Sequence, residues 1–183
     1  MDIRENKQQF RKKIILLKRK YPAKYITQHS DKIIKYLEEN KLFQQATKIA
    51  LYHALPGEVQ TAGLLEKWYK KKQLLLPVVK GANLSLQLYA GKDKLQMGCL
   101  GIFEPVSETE DQINPELIVI PGIAFDRQLN RLGRGKGYYD RLLSNVTVPC
   151  IGVCFHFQLF DQIPADAHDR KMSVIITDRE IIT

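Results

Sequence analysis

The chain has 183 residues, 44% of them hydrophobic and 26% charged, which fits one globular domain over residues 1–183 with a core of its own. Its formal net charge of +8 favours acidic partners in general and does not choose among them. No apolar run approaches the roughly 18 residues of a membrane span, no secretory leader pattern is visible, and three cysteines are too few and too odd in number for a disulfide framework. A cytoplasmic protein that binds no membrane is therefore expected.

The N-terminal part of the chain predicts two amphipathic helices. In residues 3 to about 20, apolar residues recur at helical spacing between many lysines and arginines. Lys7 and Arg11 are four residues apart and share one helix face, which is usually a solvated basic surface. Pro22 separates this helix from a second one, predicted over Ala23–Glu39.

An apolar run over Thr47–Ala54 predicts a strand that leads into Pro56-Gly57 and then Glu58. Open α/β sheets bind ligands at the carboxyl ends of their strands, so this turn lies at the ligand edge. From the pattern alone, Glu58 is an acid near a helix N-terminus, where the helix dipole favours negative charge. His53 and Leu55 are candidates for the lining of a pocket at the same edge.

Strands and helices then alternate along most of the chain. The predicted elements are a helix over Ala62–Lys72, a buried strand over Leu74–Val79, a half-exposed edge strand over Leu84–Tyr89, and later strands over Val148–Phe155 and Met172–Thr177. Glu104 is interpreted as structural or as a residue that supports the ligand contacts from behind, and His156, at a strand end, as a pocket candidate without an assigned role. The predicted fold class is α/β, a three-layer helix–sheet–helix arrangement with a mostly parallel, Rossmann-like sheet and a small antiparallel part.

The middle of the chain carries the strongest chemical signal. Leu117–Ile120 predicts a buried strand, and three glycines then alternate with cations over Gly133–Gly137. Glycines can adopt positive φ and turn successive N–H groups toward an anion. A helix predicted from Tyr138 adds the partial positive charge of its N-terminus. Together these features indicate a phosphate site, where the carboxylate of Asp140 suggests a Mg²⁺ ligand.

The glycine spacing matches neither of the standard nucleotide-binding loops. The glycines run G-x-G-x-G, so both G-x-x-x-x-G-K-[ST] and G-x-G-x-x-G are absent from this stretch. For the glycines alone, a flexible basic loop is the competing interpretation.

The full string around the glycines is far more specific. It reads Pro121-Gly122-x-Ala124-Phe125-Asp126, four residues, then Arg131-Leu132-Gly133-Arg134-Gly135-Lys136-Gly137-Tyr138-Tyr139-Asp140. This closely resembles the signature of the 5-formyltetrahydrofolate cyclo-ligase family, and length and motif order extend the resemblance over essentially the whole chain. It implies a monomeric enzyme that uses ATP and Mg²⁺, takes 5-formyltetrahydrofolate (polyglutamylated forms included) as its substrate, and has no nucleic-acid partner.

The resemblance also implies roles for single residues. In the family, a Lys-x-x-x-Arg pair of the N-terminal helix reaches ATP, a glutamate in a Pro-x-Glu loop binds the folate, and two aspartates bind Mg²⁺. The residues implied to contact ATP are Lys7, Arg11, Arg131, Leu132, Gly133, Arg134, Gly135, Lys136, Gly137, Tyr138 and Tyr139. Those implied to contact the folate are His53, Glu58, Arg134, Gly135, Lys136, Gly137 and Tyr138. The catalytic candidates among them are Arg134, Lys136 and Tyr138, with the choice between Tyr138 and Tyr139 left open. The implied metal ligands are Asp140 and Asp169, with Asp166 as the near competitor of the latter.

The implied reaction converts 5-formyltetrahydrofolate to 5,10-methenyltetrahydrofolate through a phosphorylated formyl group, an iminium phosphate, and releases ADP and phosphate. Both nucleophiles belong to the substrate, so positioning and charge neutralisation suffice. The sequence agrees, since it displays no Ser-His-Asp or Cys-His arrangement. Two alternatives remain from composition and motif alone: a basic nucleic-acid-binding module, and a kinase that uses the same phosphate loop on another small molecule.

Overall fold

A computed structural model describes residues 2–106, 113–144, 146–166 and 169–183. Its α-helices are α1 (Ile3–Lys18), α2 (Ala23–Glu39), α3 (Lys41–Gln45), α4 (Ala62–Trp68) and α5 (Tyr138–Ser144). Its strands are β1 (Lys48–Ala50), β2 (Gln73–Lys80), β3 (Asn83–Leu88), β4 (Leu95–Met97), β5 (Phe103–Pro105), β6 (Leu117–Pro121), β7 (Ala124–Asp126), β8 (Arg131–Leu132), β9 (Cys150–Val153), β10 (Leu159–Phe160), β11 (Val174–Ile176) and β12 (Ile181–Ile182). No helix in these four ranges is long and apolar enough to cross a membrane.

The main sheet has the strand order β12-β11-β9-β6-β1-β2-β3 over the described residues. All pairs from β11 to β2 are parallel, whereas the edge strands β12 and β3 pair antiparallel with their neighbours. A three-stranded sheet, β10-β7-β8, and the hairpin β4-β5 complete the strands. This confirms the predicted α/β class with its mostly parallel sheet and small antiparallel part.

Alternating side chains of the main sheet enter two separate cores. On β1, Ile49 belongs to the core that is shared with α2 and α4, whereas Ala50 belongs to the core that contains Leu143 of α5. Successive residues of a strand point to opposite faces, so a strand that is apolar throughout must be covered on both sides. The result is the predicted helix–sheet–helix layering.

Helix α1 packs away from both of these cores, against the small sheet β10-β7-β8. Ile14 is fully buried there beside Ile123, Leu132 and Ile163. Phe10 meets the ring of Phe160 edge-on at 5.1 Å between centroids. This packing holds the basic helix next to the glycine-rich stretch.

Element boundaries differ from the predicted ones where apolar residues continue past a strand. The run predicted over Thr47–Ala54 forms a strand only over β1, and the run over Val148–Phe155 only over β9. The residues beyond β1 stay apolar because they are buried as a loop: Tyr52 is 2% exposed and its hydroxyl donates to Val59 O at 2.9 Å. The stretch after Ile120, predicted as loop, contains the short strands β7 and β8.

Asp126, at the end of β7, is a structural carboxylate. It is fully buried, and Oδ1 accepts hydrogen bonds from the backbone N–H groups of Gln128 and Asn130, both at 2.9 Å. Oδ2 accepts from Asn130 Nδ2 at 2.9 Å and from Ile163 N at 3.1 Å. These bonds shape the turn in which Leu129 adopts a positive φ of 69°, and they join it to the segment after β10. Asp126, the first aspartate of the sequence signature, thus holds in place the loop that precedes Arg131.

Replacing Asp126 by alanine should destabilise the fold strongly. The change leaves buried N–H donors without an acceptor, and we expect a loss of about 3–5 kcal/mol in the free energy of unfolding. Urea unfolding of the two proteins measures this loss. Asp161→Ala is the matched control, because the Asp161 side chain is 100% exposed. A loss below about 1 kcal/mol for Asp126→Ala would contradict the structural role.

Candidate active site

Strands β1 and β6 lie side by side, and the chain leaves them in opposite directions. After β1 it passes through α4 to β2, and after β6 through α5 to β9, on the other side of the sheet. Leu64 and Leu65 of α4 enter one core and Leu143 of α5 enters the other, so the two connections cover opposite faces. Such a switch leaves a crevice at the carboxyl ends of the two strands, which is where open α/β sheets bind ligands.

A cavity of about 340 Å³ opens in this crevice. One wall follows β1 and consists of Tyr52, His53, Leu55 and Glu58. A second wall consists of Pro121, Gly122, Arg131, Gly133, Arg134, Gly135, Lys136, Gly137, Tyr138, Tyr139 and Asp140. A third wall comes from β2, β3 and the β4-β5 hairpin and consists of Pro77, Val79, Leu84, Leu100, Ile102 and Glu104.

The cavity therefore brings together most of the residues singled out in the sequence. Lys7, Arg11, Leu132 and Asp169 lie outside its lining. Leu132 is 1% exposed and packs in the core beside Ile14, so a contact with a nucleotide would have to come from its backbone. His156 also lies outside the lining, and its backbone N–H donates to Asp178 Oδ1 at 2.6 Å.

The glycine-rich segment needs its glycines for two different reasons. Gly135 and Gly137 have φ values of 96° and 71°, a region that side chains with a Cβ rarely adopt. A Cβ at Gly137 would also stand 2.6 Å from Nη1 of Arg141. Arg141 donates to the carbonyl oxygens of Ala82 and Lys136, and so ties the segment to the β2–β3 turn. The glycine φ values and the hydrogen bonds of Arg141 together fix the backbone turn of this segment.

Helix α1 supports the same segment from the outside. The Nε of Arg11 donates to Gly133 O at 2.9 Å. One helical turn earlier, Lys7 Nζ lies 2.5 Å from Asp169 Oδ2. The two predicted cations thus do share a helix face, and they connect the glycine-rich segment with the segment that carries Asp169.

Arg131 is buried and already engaged. Its side chain is 4% exposed, and Nη2 lies 2.6 Å from Oδ1 of Asp140. The guanidinium also lies 5.4 Å from the ring centroid of Tyr139. Asp140 itself is 59% exposed at the cavity. The pair fixes the position of the Asp140 carboxylate and leaves most of it accessible.

Glu58 is bound to the cationic wall by Arg134. Glu58 Oε1 accepts from Arg134 Nη2 at 2.7 Å and Nε at 3.2 Å, and Oε2 accepts from Leu55 N at 2.9 Å. The Glu58 side chain is 9% exposed, whereas that of Arg134 is 52% exposed. Lys18 lies beside this pair, and its pKa is lowered overall. Burial is the largest cause; the Glu58 carboxylate opposes it, and the Arg134 guanidinium adds to it. The predicted folate ligand and a predicted phosphate ligand therefore bind each other in the structure.

Burial favours the uncharged forms of Tyr52, His53 and Tyr139 in the cavity. Burial, and then the nearby Glu58 carboxylate, raise the pKa of Tyr139 well above its ordinary value, and the same two causes act on the pKa of Tyr52. Burial lowers the pKa of His53, so its imidazole is neutral at pH 7. Tyr138 is the first residue of α5, and its hydroxyl lies 3.5 Å from Gly81 O.

The predicted metal ligands lie on different segments. Asp140 lines the cavity. Asp169 Oδ2 forms an ion pair with Lys7 and accepts a hydrogen bond from the backbone N–H of Asp166 at 2.8 Å. Within the described part of the chain, no group of three or more His, Cys, Asp and Glu side chains is arranged to hold a metal ion by itself. Any divalent ion here would depend on a ligand such as phosphate for much of its coordination.

Sequence reasoning missed the third wall of the cavity. Glu104 was interpreted as structural or as a residue that supports the ligand contacts from behind, yet it lines the cavity itself among Pro77, Val79, Leu84 and Ile102. Its strand is only three residues long, too short for a periodic signal, and the hairpin reaches the cavity through tertiary packing alone.

Comparison with known proteins gives a consistent result. The family model described as 5-formyltetrahydrofolate cyclo-ligase family matches residues 3–178. A 5-formyltetrahydrofolate cyclo-ligase of Mus musculus is 42% identical over 151 residues, covering 73% of this chain and 74% of that protein. One of Escherichia coli strain K12 is 30% identical over 147 residues, covering 74% and 80%. The solved structure of Aquifex aeolicus 5,10-methenyltetrahydrofolate synthetase superposes with a TM-score of 0.86 at 37% identity, over 96% of this chain and 91% of that one.

Proposed function

Since the chain belongs to the 5-formyltetrahydrofolate cyclo-ligase family, we propose that it converts 5-formyltetrahydrofolate to 5,10-methenyltetrahydrofolate with ATP and Mg²⁺, releasing ADP and phosphate. The observation that carries the proposal is the family match over residues 3–178. The cavity supports it, because a cationic, glycine-rich wall faces an apolar wall at the ligand edge of the sheet. One wall suits phosphates and the other suits a flat bicyclic ring.

The proposed chemistry follows from the substrate. A formamide oxygen is a poor leaving group, and transfer of the γ-phosphoryl group onto it makes ADP and leaves an electrophilic iminium carbon. N10 of the same molecule attacks that carbon and the ring closes. The C–O bond then breaks, and the phosphate that leaves takes up the proton lost from N10. No protein nucleophile is needed, and the protein contributes orientation and charge neutralisation.

We assign the phosphates to the second wall of the cavity. Lys136 is exposed on the glycine-rich segment, and among the described residues its side chain forms no ion pair. Arg134 is half exposed and can turn from Glu58 toward a ligand. Backbone N–H groups of Gly133, Gly135 and Gly137 supply the remaining donors, as anion-binding nests do. Arg131 has a different role in this proposal, because it is buried and positions Asp140.

The residues present fit a magnesium ion that is shared with phosphates. Mg²⁺ binds through one or two carboxylates and takes its other ligands from phosphate and water. Asp140 meets this requirement, since its carboxylate is accessible at the cavity. Asp169 is the proposed second ligand, and its side chain is 21% exposed beside Lys7. When bound, the ion neutralises charge on the transferring phosphoryl group.

Glu58 is the proposed partner of the pterin ring. Its carboxylate can accept the donor pair formed by the 2-amino group and N3–H of the ring once Arg134 turns away. We expect Glu58→Gln to raise the KM for 5-formyltetrahydrofolate about 10- to 100-fold, because hydrogen bonds to a charged acceptor contribute about 1.5–3 kcal/mol. Steady-state kinetics at saturating ATP measure this effect. Glu39→Gln on α2 is the matched control, as that side chain is 60% exposed. An unchanged KM in Glu58→Gln would contradict the assignment.

One assay tests the proposed function as a whole. The protein is incubated with ATP, Mg²⁺ and 5-formyltetrahydrofolate, and ADP is measured together with the near-ultraviolet absorbance of the methenyl product. Equal amounts of ADP and methenyl product support the proposal. ADP release with another acceptor, or no methenyl product at all, would refute it and would favour a different phosphoryl-transfer reaction.

A further inference from the structure

Glu104 is a buried carboxylate on the apolar wall of the cavity. It is 6% exposed, and its position on β5 places it beside β2, where Val79 N donates to Oε1 at 3.2 Å. This is the only hydrogen bond to the Glu104 side chain among the described residues. A carboxylate has about four acceptor sites, so most of its capacity is left for a ligand.

The fold makes a specific place for this side chain. A Cβ at Gly98 would lie 2.3 Å from Glu104 Cδ and 2.5 Å from Oε2, so any side chain at position 98 would force the carboxylate to move from its place. The hairpin closes around it, with Gly98 N donating to Ile102 O at 2.8 Å. The surrounding wall is apolar and suits a planar ring better than a phosphate.

The other carboxylate of this half of the cavity is already satisfied. Both oxygens of Glu58 accept hydrogen bonds from the chain itself, one from Arg134 and one from Leu55 N. Glu104 has no cation partner among the described residues. Of Glu58 and Glu104, it is therefore the carboxylate with the greater free acceptor capacity.

We propose that Glu104 is a specificity-determining residue that accepts hydrogen bonds from the pterin ring of the substrate; this rests on the proposed function. A tetrahydropterin has two donor edges. The 2-amino group and N3–H form one, which is assigned to Glu58 above. The other edge carries N8–H, which the acceptor N1 separates from the 2-amino group, and N8–H is the donor that binds Glu104. Two carboxylates on two different walls of the cavity would then fix the ring by both edges.

The variant Glu104→Gln tests the proposal, because its amide oxygen can still accept from Val79 N. We expect the KM and the Kd for 5-formyltetrahydrofolate to rise about 10- to 100-fold, the loss of a charged hydrogen-bond acceptor. The KM for ATP and the kcat at saturation should change less than about threefold, since the phosphate wall is untouched. Asp93→Asn is the matched control, because it removes one negative charge from the exposed start of the same hairpin.

Two substrate analogues locate the effect. With a 5-formyltetrahydropterin that lacks the aminobenzoylglutamate tail, the variant should bind more weakly by the same factor as with the full substrate. With the 8-deaza analogue, in which a CH₂ group replaces N8–H, the wild type and Glu104→Gln should bind nearly alike. An effect that disappears with the tailless pterin, or that persists with the 8-deaza analogue, would overturn the proposal.

A second variant separates an effect of Glu104→Gln on folding from an effect on substrate binding. If Glu104→Gln unfolds at a markedly lower temperature, Gly98→Ala serves as a second variant, since its Cβ displaces the carboxylate without removing it. It should raise the same KM, and an unchanged KM would count against Glu104. A wild-type protein that makes no methenyl product refutes the proposed function, whereas an active wild type with an equally active Glu104→Gln refutes only this inference.

Discussion

Lys136→Ala should lower kcat by about 10²- to 10³-fold while the protein remains folded. Removal of a single well-placed donor from a site where charge develops has an effect of this size. Lys136 is exposed, and the segment around it is held by Arg141, which donates to the backbone oxygen of Lys136 and not to its side chain. The backbone turn should therefore survive the change, and the loss should fall on phosphoryl transfer. Single-turnover kinetics, with ADP and methenyl product measured together, separate this loss from slow product release.

Lys24→Ala on α2 is the matched control for Lys136→Ala, because Lys24 is exposed and lies outside the cavity lining. It should have wild-type kcat, and both variants should keep the free energy of unfolding within about 0.5 kcal/mol. Lys136→Arg keeps the charge and should recover part of the rate. Wild-type turnover by Lys136→Ala would remove the central residue from the proposed phosphate site.

The variant Asp140→Asn should make the enzyme dependent on much higher Mg²⁺ concentrations. Its amide oxygen can still accept from Arg131, so the geometry at the start of α5 should persist, but the negative charge that attracts the ion is lost. We expect the Mg²⁺ concentration for half-maximal rate to rise about 10- to 100-fold, as for the loss of one charged ligand contact. Rates at subsaturating Mg²⁺ should fall by the same factor and recover at high Mg²⁺. A titration of initial rate against free Mg²⁺ measures this.

Asp31→Asn removes an exposed carboxylate from α2 and should leave the Mg²⁺ titration unchanged. If Asp140→Asn also leaves the half-maximal concentration unchanged but destabilises the protein, the carboxylate serves only as the partner of Arg131. That result would exclude it as a metal ligand.

The layers of the fold could be predicted because strand and helix periodicity report burial directly. Leu117–Ile120 is apolar at every position, which is typical of a strand covered on both faces, and Leu84–Tyr89 alternates, which is typical of an edge. Periodicity could not predict where a strand ends when apolar residues continue beyond it. Tyr52 remains buried beyond β1 because the loop that follows folds back over it, with hydrogen bonds to Val59 and Thr61 that no periodic pattern reports.

The candidate site could be predicted in part for the same reason. The glycine-rich segment is contiguous, so its cations and its aspartate are visible in one string. Glu104 belongs to a short hairpin that reaches the cavity only by packing on β2, and a single sequence contains no signal for that contact. Ion pairs such as that of Arg131 with Asp140 are equally invisible, and the buried state of Arg131 changes its proposed role from phosphate contact to positioning.

The ion pair between Glu58 and Arg134 links the two halves of the cavity energetically. Under the proposed roles, the nucleotide takes Arg134 and the pterin takes Glu58, so whichever ligand arrives first must break the pair. The second ligand then meets a residue that is already released, and the energy of the pair is lost only once. By thermodynamic reciprocity, each ligand must tighten the binding of the other by the same factor. Cooperativity between two substrates thus arises from a single side-chain contact, with no rearrangement of the backbone.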